Sequence, residues 1–410
     1  MRRVTRTIVL VGVPWSVDEL PTAVSQAGSA GVRLVVADTE AELSKIDGPP
    51  ALGRLPVAAL SPEAVAAAAA ALRPDQVVSI TEMTMWCAAR VREELGLPGT
   101  SSAAESTVSD KLRTRTILRE RGLTGVGFWA TTIADVGTLI DGLPLPVVVK
   151  PRALTGSAGV RLLERAADVT ELIRQYDAAT AAGFGRDELL VETYIPGVEI
   201  SAEAIAVGGR VTLLSLTDKL NTGAPHFVET GHVMPSRHSA ALAGRVHDFL
   251  QTLVTSLGIE TSALHAELKV ADDRLELVEI HSRYGGDKIT KLLAEVYGYE
   301  AFRAYFAAVL DGVAPPVPAA RATAGVAFFT AALDSPFAAT SFDFPHPSAV
   351  VAVDVDRRRQ PALLSYEGVR LLYWRAGHAL FMSSDYGQVH DNVAFVHSQV
   401  PVLASGRSDG

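Results

Sequence analysis

The chain has 410 residues, 48% hydrophobic and 20% charged, with a net charge of −9. This implies two or three globular domains with a sizeable core and excludes a disordered chain. The acidic balance argues against a nucleic-acid or anionic-membrane surface, the one basic run being Arg357, Arg358 and Arg359.

No run approaches the roughly 18 apolar residues of a membrane-spanning helix. The single cysteine, Cys87, excludes a disulfide framework or thiolate metal cluster; it suits a reducing, cytoplasmic compartment and is read as a core residue. Only seven of the 37 basic residues are lysines (45, 111, 150, 219, 269, 288 and 291), so arginine carries the ordinary surface charge. A retained lysine marks a place where a point charge on a flexible stem is needed.

Along the chain, Arg2 and Arg3 before the apolar residues 8–13 imitate a signal peptide, but residues 6–13 read better as a first buried strand. A helix over 16–27 with Ser16 as its cap, a strand over 31–37, an alanine-rich helix over 62–72 and a strand over 76–80 follow. Strands alternating with helices predict a parallel sheet. The GxGxxG fingerprint is absent after the first strand, so a dinucleotide domain is not supported. Glu82 and Trp86 follow the 76–80 strand at the position where parallel sheets bind ligands, although a packed Trp beside a solvated Glu is the preferred reading.

Ser109 and Asp110 cap a helix over 111–121 that closes at Gly122. Residues 146–150 form a β-branched strand ending in Lys150, before a small-residue loop with Thr155, Gly156, Ser157, Ala158 and Gly159. Strands are predicted over 189–194, 199–207 and 211–216, the last two joined at Gly208-Gly209-Arg210. A helix over 240–257 leads to a hairpin over 263–281. After a helix ending near Asp311, the prolines at 315, 316 and 318 mark a boundary, and the remainder reads as short strands and turns.

The hairpin carries the first chemistry. With a three-residue turn at 272–274, Ala271 faces Leu275, Glu267 faces Glu279 and His265 faces His281. Leu264, Ala266, Leu268, Val278 and Ile280 then point to the core. Two facing carboxylates repel unless a cation lies between them, and oxygen ligands with open positions suit Mg²⁺ on substrate phosphates. A solvated face near Lys269 is the alternative. Lys150 with its glycine-containing loop offers an ammonium and backbone N–H groups to nucleotide phosphates; a strand-end lysine snorkelling to solvent is equally compatible. The strand-loop-strand from Leu190 to Ser201 can present backbone groups to an adenine edge, and Glu199 to ribose hydroxyls.

In order, "SDKxxxR" at Lys111 and Arg115, "VVVKP", "VETYIPGVEISAEA", "HAELKV" and "VEIHSRYGG" resemble the ATP-grasp superfamily of carboxylate–amine ligases across residues 109 to about 312. The segment "TDKLNTGAPHFVETGHVMPS" is similar to bacterial L-amino-acid ligases that form dipeptides. The resemblance implies an α/β fold, α+β in its nucleotide-binding part. It implies an N-terminal parallel-sheet domain (1–108), an ATP-grasp region (109–312, mobile central lobe about 124–195) and a small β-rich C-terminal part (319–410).

It further implies that ATP is held by Lys111, Lys150 and the loop at Gly156, Ser157 and Ala158, with Glu192, Thr193, Tyr194 and Ile195 at adenine and Glu199 at the ribose. Mg²⁺, replaceable by Mn²⁺, would sit on Glu267, Glu279 and His281, the last standing where the superfamily usually has Asn. Arg283 would be the catalytic arginine, with Glu229 and His232 at the substrate or the metal site. The expected reaction activates a carboxylate as an acyl phosphate and condenses it with an amine. The partners are then small-molecule acids and amines, not nucleic acid or membrane, and a homodimer is compatible. A carrier-protein thiol as acceptor, or a non-catalytic nucleotide-binding module, are the rivals. Asp287 and Lys288 suit either a substrate contact or a loop salt bridge, and His226, His238 and His247 show no metal spacing.

Overall fold

A computed structural model describes residues 6–14, 19–46, 52–152, 156–157, 159–181, 188–271, 274–332, 342–355, 365–366, 369–370 and 373–399. The Ser16 cap, Thr155, Ala158, residues 272–273 of the hairpin turn and the Arg357, Arg358 and Arg359 run lie outside the described residues.

The N-terminal layer is the expected parallel sheet, ordered β3-β2-β1-β4, from β1 (Arg6–Val11), β2 (Val32–Thr39), β3 (Gly53–Val57) and β4 (Gln76–Val78). Its helices are α1 (Glu19–Ser29), α2 (Glu40–Leu43), α3 (Pro62–Ala70) and α4 (Glu82–Glu94). From Ile8 to Val11 β1 is wholly apolar and buried because both faces are covered. Ile8 and Leu10 pack with Leu20, Ala23 and Ala27 of α1, while Val9 and Val11 pack with Val65 of α3 and Cys87 and Val91 of α4. Cys87 is a buried core residue, as expected.

Two helices, α5 (Ser102–Val108) and α6 (Lys111–Glu120), lead onward. Asp110 caps α6 by accepting from the Leu112 and Arg113 N–H groups, and Gly122 ends the turn at φ +66°. Next comes an antiparallel sheet ordered β5-β8-β6-β7, from β5 (Phe128–Thr132), β6 (Val147–Pro151), β7 (Arg161–Leu163) and β8 (Glu188–Thr193). Its inner face packs on α7 (Val136–Asp141) and α8 (Asp168–Ala181).

The largest sheet is antiparallel and eight-stranded, ordered β13-β12-β9-β10-β11-β14-β18-β15. It uses β9 (Val198–Val207), β10 (Arg210–Asn221), β11 (Glu229–Met234), β12 (Ser262–Ala271), β13 (Arg274–His281), β14 (Thr323–Ala332) and β15 (Val350–Val355). A two-strand ladder of β16 (Ser365–Tyr366) and β17 (Val369–Arg370) precedes β18 (Tyr373–Ser383). Gly208 and Gly209, at φ +56° and +75°, form the tight β9–β10 turn that the sequence signals. Helix α9 (Ser239–Leu257) covers Ile200, Ala202, Leu264, Ala266 and Leu268. Helices α10 (Ile289–Tyr297) and α11 (Ala301–Asp311) join the core shared with α1.

Two expectations need correction. Ala271 pairs with Arg274, not Leu275, so two residues separate the strands, and a bulge between Glu267 and Leu268 restores Glu267 opposite Glu279 and His265 opposite His281. The bulge turns Leu277 into the core and leaves Val278 lining the cavity described below. Past residue 319 the strands β14 and β18 are ten and eleven residues long rather than short, and a helix, α12 (Tyr386–Ser398), covers them. Its apolar positions Val389, Val393 and Val396 are β-branched, weak helix formers, which masked the helical period.

Candidate active site

Period-two alternation along the central strands writes the site onto one face. On β9, Ile200, Ala202 and Ala204 enter the α9-covered core, which leaves Glu199, Ser201 and Glu203 on the opposite face. On β12, Leu264, Ala266 and Leu268 do the same for His265, Glu267 and Lys269. The register then makes rows across the sheet. Thr217, Ser201, Glu267 and Glu279 are successive partners from β10 to β13, and Ser215, Glu203, His265 and His281 form the next row. On β10 and β11, Lys219 faces His232 and Asn221 faces Glu229.

Of these, Glu199, Lys219, Asn221, Glu229, His232, His265, Glu267, Lys269, Glu279 and His281 line a cavity of about 510 Å³ between the central sheet and the smaller antiparallel sheet. Of the sequence-predicted residues, Lys111, Lys150, Gly156, Ser157, Glu192, Thr193, Tyr194, Ile195, Glu199, Glu229, His232, Glu267, Glu279, His281 and Arg283 all line it.

The lysines sit against acids. Lys111 Nζ lies 2.6 Å from Glu279, and Lys150 Nζ lies 2.7 Å from Glu192. Glu192 also accepts from Arg115 Nε at 2.6 Å, so its carboxylate is turned to two cations and orients Lys150. Burial pushes the Lys150 ammonium down from its ordinary value, against the opposing pull of Glu192. Burial pushes the Glu192 carboxyl up, but Arg115 and Lys150 win and hold it near 2. Gly156 and Ser157, at φ +65° and +56°, carry the loop over the cavity, with Ser157 Oγ donating to the Phe227 carbonyl at 3.0 Å.

Lys219, absent from the sequence-predicted set, is the central cation: it donates to Glu267 and lies 3.2 Å from Glu229 and 3.5 Å from Glu199. His265, recognised only as a ladder partner of His281, contacts Glu203 at 2.9 Å and Glu267 at 3.5 Å. Burial opposes its charge, yet Glu203 and Glu267 raise it to about 9, so the imidazolium steadies Glu267. Lysine scarcity was a usable signal for Lys219. Nothing local marked the partnership with Glu203.

The N-terminal layer reaches the same place. Glu82, the first residue of α4, lies 2.8 Å from His281 Nδ1 and 3.1 Å from Arg283 Nη2. Burial raises its carboxyl, but His281 and Arg283 hold it well below the usual range. The solvated-Glu, packed-Trp reading is therefore corrected: Glu82 is ion-paired and Trp86 is 46% exposed. Asp287 is ion-paired with Arg375 of β18, the loop salt bridge among its two expected readings, and both residues line the cavity.

Among the described residues, metal-type donors fall into two groups, Glu82 with Glu279 and His281, and Glu229 with His232 and Asp287. Carboxylate oxygens on Glu267 and Glu279, facing each other and each neutralised by a lysine, have the donor chemistry of a site for a hard divalent cation carrying phosphates. His281 Nε2, 3.8 Å from Glu279, adds a nitrogen donor whose ring Glu82 orients.

The ATP-grasp domain family matches residues 143–291. The chain is 30% identical over 221 residues to D-alanine–D-alanine ligase of Gluconobacter oxydans, a match covering 51% of this chain and 69% of that protein. It is 28% identical over 269 residues to carnosine synthase 1 of Gallus gallus, covering 61% of this chain but 29% of that much longer protein. In fold it resembles an L-amino acid ligase from Bacillus licheniformis, with a TM-score of 0.71 at 20% identity over 96% of this chain and 97% of that one. The chain belongs to the ATP-grasp family.

Proposed function

We propose that the protein is an ADP-forming ligase that activates a carboxylate as an acyl phosphate and condenses it with an amine, joining amino acids or amino-acid-like acids. The observation that carries this reading is the facing pair Glu267 and Glu279, each met by a lysine, with Arg283 two residues beyond His281 in the same cavity. The relatives' names, a D-alanine–D-alanine ligase and a carnosine synthase, support amino-acid substrates. The proposed division into 1–108, 109–312 and 319–410 is supported by the proline-rich break at 315–318, although the last segment also completes the central sheet.

Lys111, Lys150 and Lys219 would exchange carboxylate partners for phosphate oxygens, and the backbone at Thr193, Tyr194 and Ile195 would meet adenine. Glu199, 3.0 Å from Lys269, would accept a hydrogen bond from a ribose hydroxyl. Glu267, Glu279 and His281 would hold Mg²⁺, which when bound neutralises the phosphate oxygens. Phosphoryl transfer then rests on positioning and fixed charge. The carboxylate oxygen attacks the γ-phosphorus and ADP leaves; the amine nitrogen attacks the acyl carbon and the C–O bond to phosphate breaks. Arg283 would fork onto the oxyanion.

An incoming ammonium sheds one proton to become nucleophilic and a second as the amide forms. Burial pushes His232 down to about 3, so it is a neutral acceptor; burial, with Asp287 and Glu267, lifts Glu229 to about 8 despite Lys219. Glu229 therefore holds its proton at neutral pH and becomes the proton acceptor as the pH rises through about 8. The test is a pairwise amino-acid screen that reads Mg²⁺-dependent ADP release with mass detection of the product. The expected result is turnover that requires a particular acid and amine. Vigorous hydrolysis indifferent to both, with no condensed product, would overturn the reading.

A further inference from the structure

Two buried side-chain atoms in the cavity lining, His232 Nε2 and Thr330 Oγ1, make no hydrogen bond, while His232 Nδ1 and Glu229 Oε1 meet only in an ion-pair contact at 3.3 Å, with Lys219 Nζ 3.2 Å from the latter. His232 is 1% exposed and Thr330 3%. Buried polar atoms are almost always satisfied, and one left bare is costly unless a ligand meets it. They gather about one ion pair, Asp287 with Arg375. His232, Glu229 and Asp287 offer ligand atoms within 4.8 Å of one another. Arg375 Nη2 donates to Asp287 at 2.9 Å and to the Glu229 carbonyl at 3.2 Å, and Thr330 is the ladder partner of Arg375.

The pair is held rigidly from both sides. The Arg375 guanidinium lies 3.8 Å from the centre of the Phe328 ring. Asp287 and Lys288 occupy left-handed backbone at φ +53° and +69°, a conformation that costs non-glycine residues energy and is maintained where it aims a side chain.

On the ligase reading, we infer that Asp287 and Arg375, with Glu229, His232 and Thr330, form the subsite for the zwitterionic head group of the acceptor amino acid. The reason is charge matching. Asp287 and Arg375 are each one-third exposed, and a ligand bearing one charge would neutralise one of them and leave the other without its partner inside the cavity, which is unfavourable. A head group carrying an ammonium and a carboxylate on one carbon exchanges with both members at no change in net charge. Its carboxylate takes the Arg375 fork, and its ammonium is met by Asp287, Glu229 and a neutral imidazole lone pair of His232. A carboxylate held by Arg375 is kept from phosphorylation, so the residue bound here is the one whose amine attacks.

The test uses the full chain with Mg²⁺ and a non-hydrolysable ATP analogue. Calorimetry first ranks the twenty L-amino acids, then compares the best binder with its carboxamide, which lacks the carboxylate, and its N-acetyl derivative, which lacks the ammonium. The wild type should prefer the free amino acid over each by about tenfold or more, the worth of one charge-assisted hydrogen bond. Arg375→Met should bring discrimination against the carboxamide to within about threefold and leave that against the N-acetyl form; Asp287→Asn should do the reverse. Arg375→Lys, which keeps the charge, should retain preference for the carboxylate and serves if the Met variant does not fold. Absence of amino-acid binding, or ratios unmoved or moved together in both variants, overturns the inference. The ligase reading is judged separately by hydroxamate formation from acid, ATP and hydroxylamine in the wild type, which needs no acceptor amino acid.

Discussion

Glu82 Oε2 accepts from Arg283 Nη2 at 3.1 Å across 201 residues of sequence, so the first turn of α4 in the parallel layer holds the arginine that follows the acid-bearing hairpin. The same carboxylate meets His281 Nδ1, and this one residue joins the N-terminal layer to both candidate groups.

Arg283→Ala should lower kcat by roughly two to three orders of magnitude with little change in ATP affinity, the scale of losing one preorganised oxyanion donor. Glu82→Gln, which loosens the arginine without removing it, should cost about tenfold in kcat, since misplacement is milder than loss. Steady-state kinetics on both variants checks this; equal losses would give Glu82 a role beyond positioning.

Glu267→Gln and Glu279→Gln should each weaken Mn²⁺ binding in the presence of nucleotide by about tenfold or more, because each removes a charged ligand from a facing pair. Electron paramagnetic resonance titration reads the bound ion directly. Unchanged binding in either variant would take that residue out of the metal site.

His281 presents Nε2 toward Glu279 with its other nitrogen fixed by Glu82. An imidazole favours softer divalent ions than an amide oxygen does, so His281→Asn should lower the ratio of Mn²⁺-supported to Mg²⁺-supported kcat/KM, by roughly tenfold. A higher KM for acid or amine at an unchanged metal ratio would instead make His281 a substrate contact.

The parallel layer, the five ordered motifs and the one-faced pattern of β12 were legible because each rests on local alternation or spacing. The bulge was not, since no residue type marks where one residue is added to a strand; it is visible only as the mismatch between a two-residue turn and Glu267 facing Glu279. Arg375 was missed for a different reason. It meets Asp287 across 88 residues, through strand pairings of β11, β14 and β18 that periodicity does not reveal. Glu82 was undervalued because its partners lie on another sheet.

Glu105 of α5 predicts a pH-dependent stability. Burial pushes its carboxyl up to about 7, against the hydrogen bond from Ser282 and the charge of Arg92. Between roughly pH 4 and 7 the folded chain keeps a proton that the unfolded chain has lost, so stability falls as pH rises through that window. Glu105→Gln should therefore gain on the order of 2 kcal/mol over wild type at pH 8 and nothing near pH 4. Denaturant unfolding at the two pH values checks this, and an equal offset at both would contradict it.

An acyl phosphate hands one oxygen of the acid to inorganic phosphate, so isotope transfer reads its formation. With the acid labelled in its carboxylate with ¹⁸O, turnover with ATP and amine should place one labelled oxygen in each inorganic phosphate released, as read by mass spectrometry. Phosphate without label, alongside product formation, would contradict carboxylate phosphorylation and the account built on it.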